Sequence, residues 1–198
     1  MRFFVYMAVG LFFLGCTTLK PTVAEYRMTL QESVEKSSAQ GCSATSLKVA
    51  QAFSAASLLS LQMEYTEANG KVFAYSQSQW QESVNSFITS ELFSSIRDFE
   101  LFGSVHPFGS RVKTDLVLEI NIEEFTQLYT ADMSSSYVNL LISLTLVDTK
   151  TSTAIATKTF RSKVKTKTAD AAGGVEAYRE ALREIVANKR VWLEESCR

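Results

Sequence analysis

Two stretches in the second half of the chain alternate apolar and polar residues with a period of two. In "TDLVLEINIEEF" the apolar positions are Leu116, Leu118, Ile120 and Ile122, and in "YVNLLISLTLVD" they are Val138, Leu140, Ile142, Leu144 and Leu146. Successive side chains of a strand point to opposite faces, so each run is a core strand with one face buried. "DTKTST" turns the chain into a third run, "AIATKTFRSKVKTK", and residues 114–167 read as an antiparallel meander of long strands.

A sheet face of this kind has to be covered, and two amphipathic segments supply the cover. In "QWQESVNSFITSELFSSIRDF", Trp80, Val84, Phe87, Ile88, Leu92, Ile96 and Phe99 follow steps of three and four. From about Asp170 to Ser196, Tyr178, Leu182, Ile185, Val186 and Leu193 share a stripe, with Gly173-Gly174 near its start and Trp192 near its end. Shorter strands precede these elements. "EYRMTL" (Glu25 to Leu30) is a first strand, "QESVEKSSAQGCSATS" a polar loop, and "LKVAQAF" a second strand with Leu47, Val49 and Phe53 on its inner side. Leu61, Met63 and Tyr65 alternate into Asn69-Gly70, the dipeptide preferred in type I′ turns, and Val72 to Tyr75 complete a hairpin. Leu101 to Val105 is a short strand, followed by a turn at Pro107 and Gly109. The fold class expected is therefore α/β: a single-domain sandwich, its mixed sheet with a long antiparallel meander flanked by two amphipathic helices.

The N-terminus carries a different signal. "MRFFVYMAVGLFFLG" has one positive residue, Arg2, and an apolar run from Phe3 to Phe13 too short for a membrane span. Gly15 then precedes Cys16, an arrangement similar to the bacterial lipobox, in which the cysteine is acylated and becomes the new N-terminus. Residues 1–15 read as a lipoprotein signal peptide, 16–24 as an acylated tether and 25–198 as the folded domain. The bland alternative is a cysteine that merely lies near a conventional cleavage site or inside an uncleaved helix. Thr17, where enterobacterial lipoproteins held in the inner membrane carry aspartate, favours the outer membrane facing the periplasm, by analogy.

With Cys16 assigned to lipid, Cys42 and Cys197 remain as an even pair in an oxidising compartment and are expected to form a disulfide. Two free thiols are the alternative. The formal net charge of −1 becomes about −2 once Arg2 leaves with the signal, so no general field draws in nucleic acid.

A search for catalytic chemistry finds no phosphate-cradling glycine loop, CxxC pair, HExxH or GxSxG elbow. His106, the one histidine, sits in an expected turn, and the neighbouring carboxylates Glu123-Glu124 and Glu194-Glu195 point different ways. No catalytic residue, metal site or cofactor is expected beyond the covalent lipid on Cys16. The most suggestive polar feature is "FRSKVKTKT", where Arg161, Lys163, Lys165 and Lys167 project from one face of a strand. Such a row meets acidic partner residues or anionic headgroups; alternatively it guards an edge strand against aggregation. Phe73, Tyr75, Trp80, Tyr129, Tyr137 and Trp192 either line a pocket or belong to the core, Trp80 being placed for both.

The order of elements resembles the auxiliary lipoprotein family of ABC-type transport systems. The likeness is carried by the lipobox, the early "YRMTL" strand, Met63 to Val105 with its tyrosine-bearing strand, tryptophan and helix, and the hairpin "NLLISLTLVDTKTSTAIATKTF". Serine and glutamine beside Trp80 and the polar insert holding Cys42 depart from the family's pattern. The resemblance implies a non-enzymatic accessory to lipid or hydrophobic-solute transport, anchored through Cys16. Its implied partners are an MCE-type periplasmic protein and, through it, an ABC permease and ATPase, with a homo-oligomer left open. Readings from other classes are an envelope scaffold activating a cell-wall synthase and a periplasmic lipid-binding shuttle.

Overall fold

The three longest strands lie side by side and set the frame of the molecule. In the computed structural model, which describes residues 22–30, 36 and 41–197, they are β7 (Leu116–Tyr129), β8 (Ser136–Asp148) and β9 (Thr153–Lys165), paired antiparallel in that order. The other side of β7 is taken in turn by three parallel strands: β2 (Ser46–Val49), β3 (Phe53–Ser54) and β4 (Gln62–Thr66). β4 pairs antiparallel with β5 (Val72–Trp80), β5 pairs parallel with β1 (Ala24–Tyr26), and β6 (Ser104–His106) pairs parallel with β2. Among the described residues the result is one mixed sheet of nine strands in which the long strand β9 pairs with β8 alone and forms an edge.

Helices α1 (Val84–Asp98) and α2 (Ala171–Ser196) pack on the apolar face of this sheet in one continuous core. Leu118, Leu140, Ile142 and Leu144 are sealed from solvent beneath them, as the period of two requires. The helical stripes answer from above: Ile88, Leu92 and Ile96 on α1, and Leu182, Ile185 and Leu193 on α2, are equally closed. Among the described residues the opposite sheet face carries no helix.

The start of α2 is shaped by close approach. Asp170 caps it, its carboxylate accepting from the Gly173 N–H at 2.7 Å. A Cβ on Gly173 would lie 2.2 Å from the Thr168 carbonyl oxygen, and one on Gly174 would lie 2.3 Å from Gln127 Oε1. Gly174 lets the first helical turn lie directly on β7, and Gly173 lets it lie against the connection from β9.

Several elements differ from the sequence expectation for local reasons. The first strand ends at Tyr26 instead of running to Leu30, because the backbone beyond it bonds to side chains of the helices. Arg179 Nη2 donates to the Arg27 carbonyl at 2.6 Å, and the Leu30 N–H donates to Glu91 Oε2 at 3.3 Å. The run from Leu47 to Phe53 splits into β2 and β3. Val49 pairs with Leu118 and Phe53 with Asn121, so four steps on one strand match three on the other. One extra residue reverses the face. Leu47 and Val49 are buried, whereas Phe53, expected inside, is 74% exposed. Leu61 likewise falls outside β4 and is exposed, while Met63 is buried.

Asn69-Gly70 does turn the hairpin, but Gly70 alone has positive φ, at 83°. The Gly70 N–H donates to the Glu67 carbonyl and the Glu67 N–H to the Lys71 carbonyl, a turn closed by a glycine bulge instead of type I′. Helix α1 starts after Ser83, since the Trp80 N–H is taken by the Leu61 carbonyl and Trp80 ends β5. β6 covers Ser104–His106, so His106 belongs to a strand, not to the turn expected for it.

Candidate docking surface

The uncovered sheet face sorts its charges by strand. On β9 and just past its end, Ser162, Val164 and Thr166 are buried, while Arg161, Lys163, Lys165 and Lys167 are all exposed. The alternation therefore places the four cations on one side, with Lys167 two residues past the strand end. Lys163 Nζ stands 3.8 Å above the Tyr137 ring on β8, and Lys167 Nζ pairs with Glu176 Oε2 at 3.1 Å across the turn into α2. Among the described residues no carboxylate pairs with Arg161 or Lys165.

Behind the cations, β8 presents polar side chains that tie the strands together. Ser143 Oγ bonds Thr159 Oγ1 at 2.6 Å and donates to Glu123, and Asn139 Nδ2 donates to Glu124 Oε1 at 2.7 Å. Glu119, Glu123 and Glu124 of β7 make the next row acidic. A basic outer strand, a polar middle strand and an acidic inner strand give the face a transverse electrostatic gradient. Three open recesses of about 390, 510 and 230 Å³ lie along it, lined in turn by Phe53 and Glu119, by Lys48, Lys113 and Lys150, and by Glu64 and Val72. Asp115 beside the second recess is pulled down to about 2 by the hydroxyl and N–H of Ser46, with Lys150 assisting.

At the far end of the covered face the aromatic residues form two groups, not one pocket. Trp80 is buried against Phe87, Phe125 and Tyr178, which makes it a core residue. Tyr65 packs against Phe73, Tyr75 and Tyr129, where Tyr75 Oη and Tyr129 Oη share a 2.7 Å hydrogen bond. Burial raises the Tyr75 phenol far above its ordinary value. Trp192 packs on Phe160 at a distance from both groups, and Tyr137 lies under Lys163 on the open face.

Cys42 and Cys197 are joined by a disulfide that ties the segment before β2 to the end of α2. His106 Nε2 lies 3.1 Å from the neighbouring Ser104 Oγ. Among the described residues no three His, Cys, Asp or Glu side chains converge as a metal site, and no helix is long and apolar enough to cross a membrane. Cys16 and the tether before Thr22 lie outside the described residues, as does most of the polar loop after Leu30.

Two features escaped the sequence. The acidic and polar rows beside the cations come from pairing register, which no single segment displays. Lys189, buried between the helices, was visible in principle, since it continues the stripe of Ile185 at a step of four.

Two helices on one face of a nine-stranded mixed sheet define the class as a layered α/β sandwich. Residues 27–188 match the model of the ABC-type transport auxiliary lipoprotein component, and the chain belongs to that family. Among solved structures it is similar to protein XCC0632 of Xanthomonas campestris, with 16% identity and a TM-score of 0.77 over 88% of this chain and 96% of that one. An uncharacterized protein aligns with 14% identity and a TM-score of 0.66, over 87% and 99% of the two chains. These likenesses establish the fold. No curated protein matches the chain.

Proposed function

We propose that this chain is a non-enzymatic, lipid-anchored periplasmic subunit of an MCE-type ABC system that moves lipid or another hydrophobic solute. Cys16 carries the anchor, in the outer membrane, and the folded body docks onto the envelope-spanning MCE-type component, which leads to the permease and ATPase. The observation that carries this reading is the row Arg161, Lys163 and Lys165 held outward on the edge strand β9, with Lys167 two residues beyond it, on a face that has no helical cover among the described residues. A cationic row of this kind steers an acidic partner and fixes its register. Family membership supports the transport context.

The test is affinity capture of the full chain from gently solubilised envelopes, with mass spectrometry of what accompanies it. An MCE-type protein, permease or ATPase is the expected companion. Cell-wall synthesis enzymes alone would overturn the reading in favour of a scaffold, and a co-purifying acyl chain without those partners would favour a shuttle.

A further inference from the structure

We propose that the hairpin-tip end of the sheet, where Val72, Phe73 and Met133 are the exposed large apolar side chains, rests on the surface of the bilayer that holds the Cys16 lipid. The inference rests on the anchored reading above and adds an orientation to it.

Strand register fixes where the tether leaves. Glu25 pairs with Gln79, and β1 runs parallel to β5, so the chain before Ala24 heads back towards the start of β5 at Val72. Gln79 lies opposite Gln62, and Thr66 at the tip is only four residues further along β4, about 13 Å at strand rise. The nine residues from Cys16 to Ala24 reach about 30 Å when extended, ample to bring the acyl chains past the tip. For the opposite end, where β7 begins at Leu116, the tether would have to reverse direction and spend most of that reach running back along the sheet.

The same end exposes apolar side chains. Val72 is 58% and Phe73 41% exposed at the β4–β5 tip, and Met133 is 41% exposed in the turn between β7 and β8. The two tips are neighbours because β4 pairs with β7 at Tyr65–Gln127 and Thr66–Leu128. Met133 adopts φ of 57°, a conformation that costs a non-glycine residue energy. Bonds of its N–H to the Thr130 carbonyl, and of the Thr130 N–H to the Ser135 carbonyl, hold the turn in place. Tyr65, Tyr75 and Phe73 stand just inside the tip, the position at which amphipathic rings meet headgroups.

Charge has little part in this contact. Lys71, Lys165 and Lys167 at this end are offset by Glu67, Asp132 and Asp170. Bilayer contact therefore comes from shallow apolar insertion beside a covalent anchor and depends weakly on salt. The other end, with Phe108 and Val112 exposed near Arg111 and Lys113, then points away from the membrane.

The test uses acylated full-length protein in vesicles of phosphatidylethanolamine and phosphatidylglycerol containing brominated acyl chains. Phe73→Trp, Met133→Trp and Phe108→Trp are compared with the parent, whose own tryptophans are buried. Blue-shifted, quenched emission is expected at positions 73 and 133 and not at 108, largely unchanged by salt. Met133 sits in an exposed turn, so its variant remains informative if Phe73→Trp disturbs the tyrosine cluster. Acylated protein with positions 73 and 133 unquenched, or with 108 quenched in their place, overturns the orientation. Failure of Cys16 to take up a fatty-acid probe overturns the anchored reading itself, and the orientation with it.

Discussion

Lys189 Nζ donates to Ser95 Oγ at 2.6 Å between α2 and α1, and the lysine is 1% exposed. Burial pulls its pKa down to about 7. The unfolded lysine holds its proton to about 10.4. Between those values the unfolded state binds more protons, so stability rises with pH from about 7 to about 10 and is flat and lower below 7. Above pH 10 the half-buried phenol of Tyr75 and the buried phenol of Tyr178 act in the opposite sense, because they resist ionisation when folded. Denaturant unfolding across this pH range should show the rise. Lys189→Met should remove it and stabilise the protein near neutrality by on the order of 1–3 kcal/mol. An unchanged pH slope in the variant would assign the titration to another group.

The Cys42–Cys197 bond closes a sequence separation of 155 residues. In the chain-entropy account a loop of that size contributes about 5 kcal/mol, near the upper end of measured disulfide effects. Cys42→Ser should lower the melting temperature strongly, and reductant should do the same to the parent but not to the variant. Gly41→Ala supplies an independent check, since its Cβ would meet the Cys197 carbonyl oxygen at 1.7 Å. Alkylation of both cysteines in native, unreduced protein would show that the bond is absent.

The meander was legible because Leu116 to Ile122 and Val138 to Leu146 face one core without interruption, and each position carries the same message as its neighbours but one. Phe53 was misread because parity survives only as long as the register does, and the extra residue between Val49 and Phe53 depends on the partner strand. The cationic row was legible from alternation within β9. Its acidic counterpart was not, because Glu123 and Glu124 reach the same face through a bulge in the β7–β8 pairing. Trp80 satisfies both a strand and a helix pattern, and its main-chain bond to Leu61 decides for the strand.

Gly174 separates two opposing expectations. Inside a helix, glycine to alanine gains up to about 1 kcal/mol from propensity alone. Here the new Cβ meets the Gln127 amide, whose Nε2 donates to Ser136 Oγ and to the Asp170 carbonyl and whose Oε1 accepts from Tyr75 Oη. Moving that amide breaks bonds inside a buried site, at about 1–3 kcal/mol for a group left unsatisfied. Gly174→Ala should therefore destabilise in thermal unfolding, and a gain would show that the Gln127 side chain relocates freely.

The cations of β9 have two physical explanations that respond differently to charge. If they only keep the free edge from pairing with other chains, any charge will serve, and Arg161→Glu with Lys163→Glu stays monodisperse and retains every partner. If they meet an acidic surface, the same reversal abolishes capture of the partner, while Arg161→Thr with Lys163→Thr weakens it and makes it less sensitive to salt. Stability should change little in either case, since Arg161 and Lys163 are exposed and the stacking of Lys163 on Tyr137 is worth about 0.5–1 kcal/mol at such a site. Light scattering and capture efficiency measured on both double variants distinguish the two. Aggregation of the threonine variant with undiminished capture would assign the row to edge protection and remove it from the docking surface.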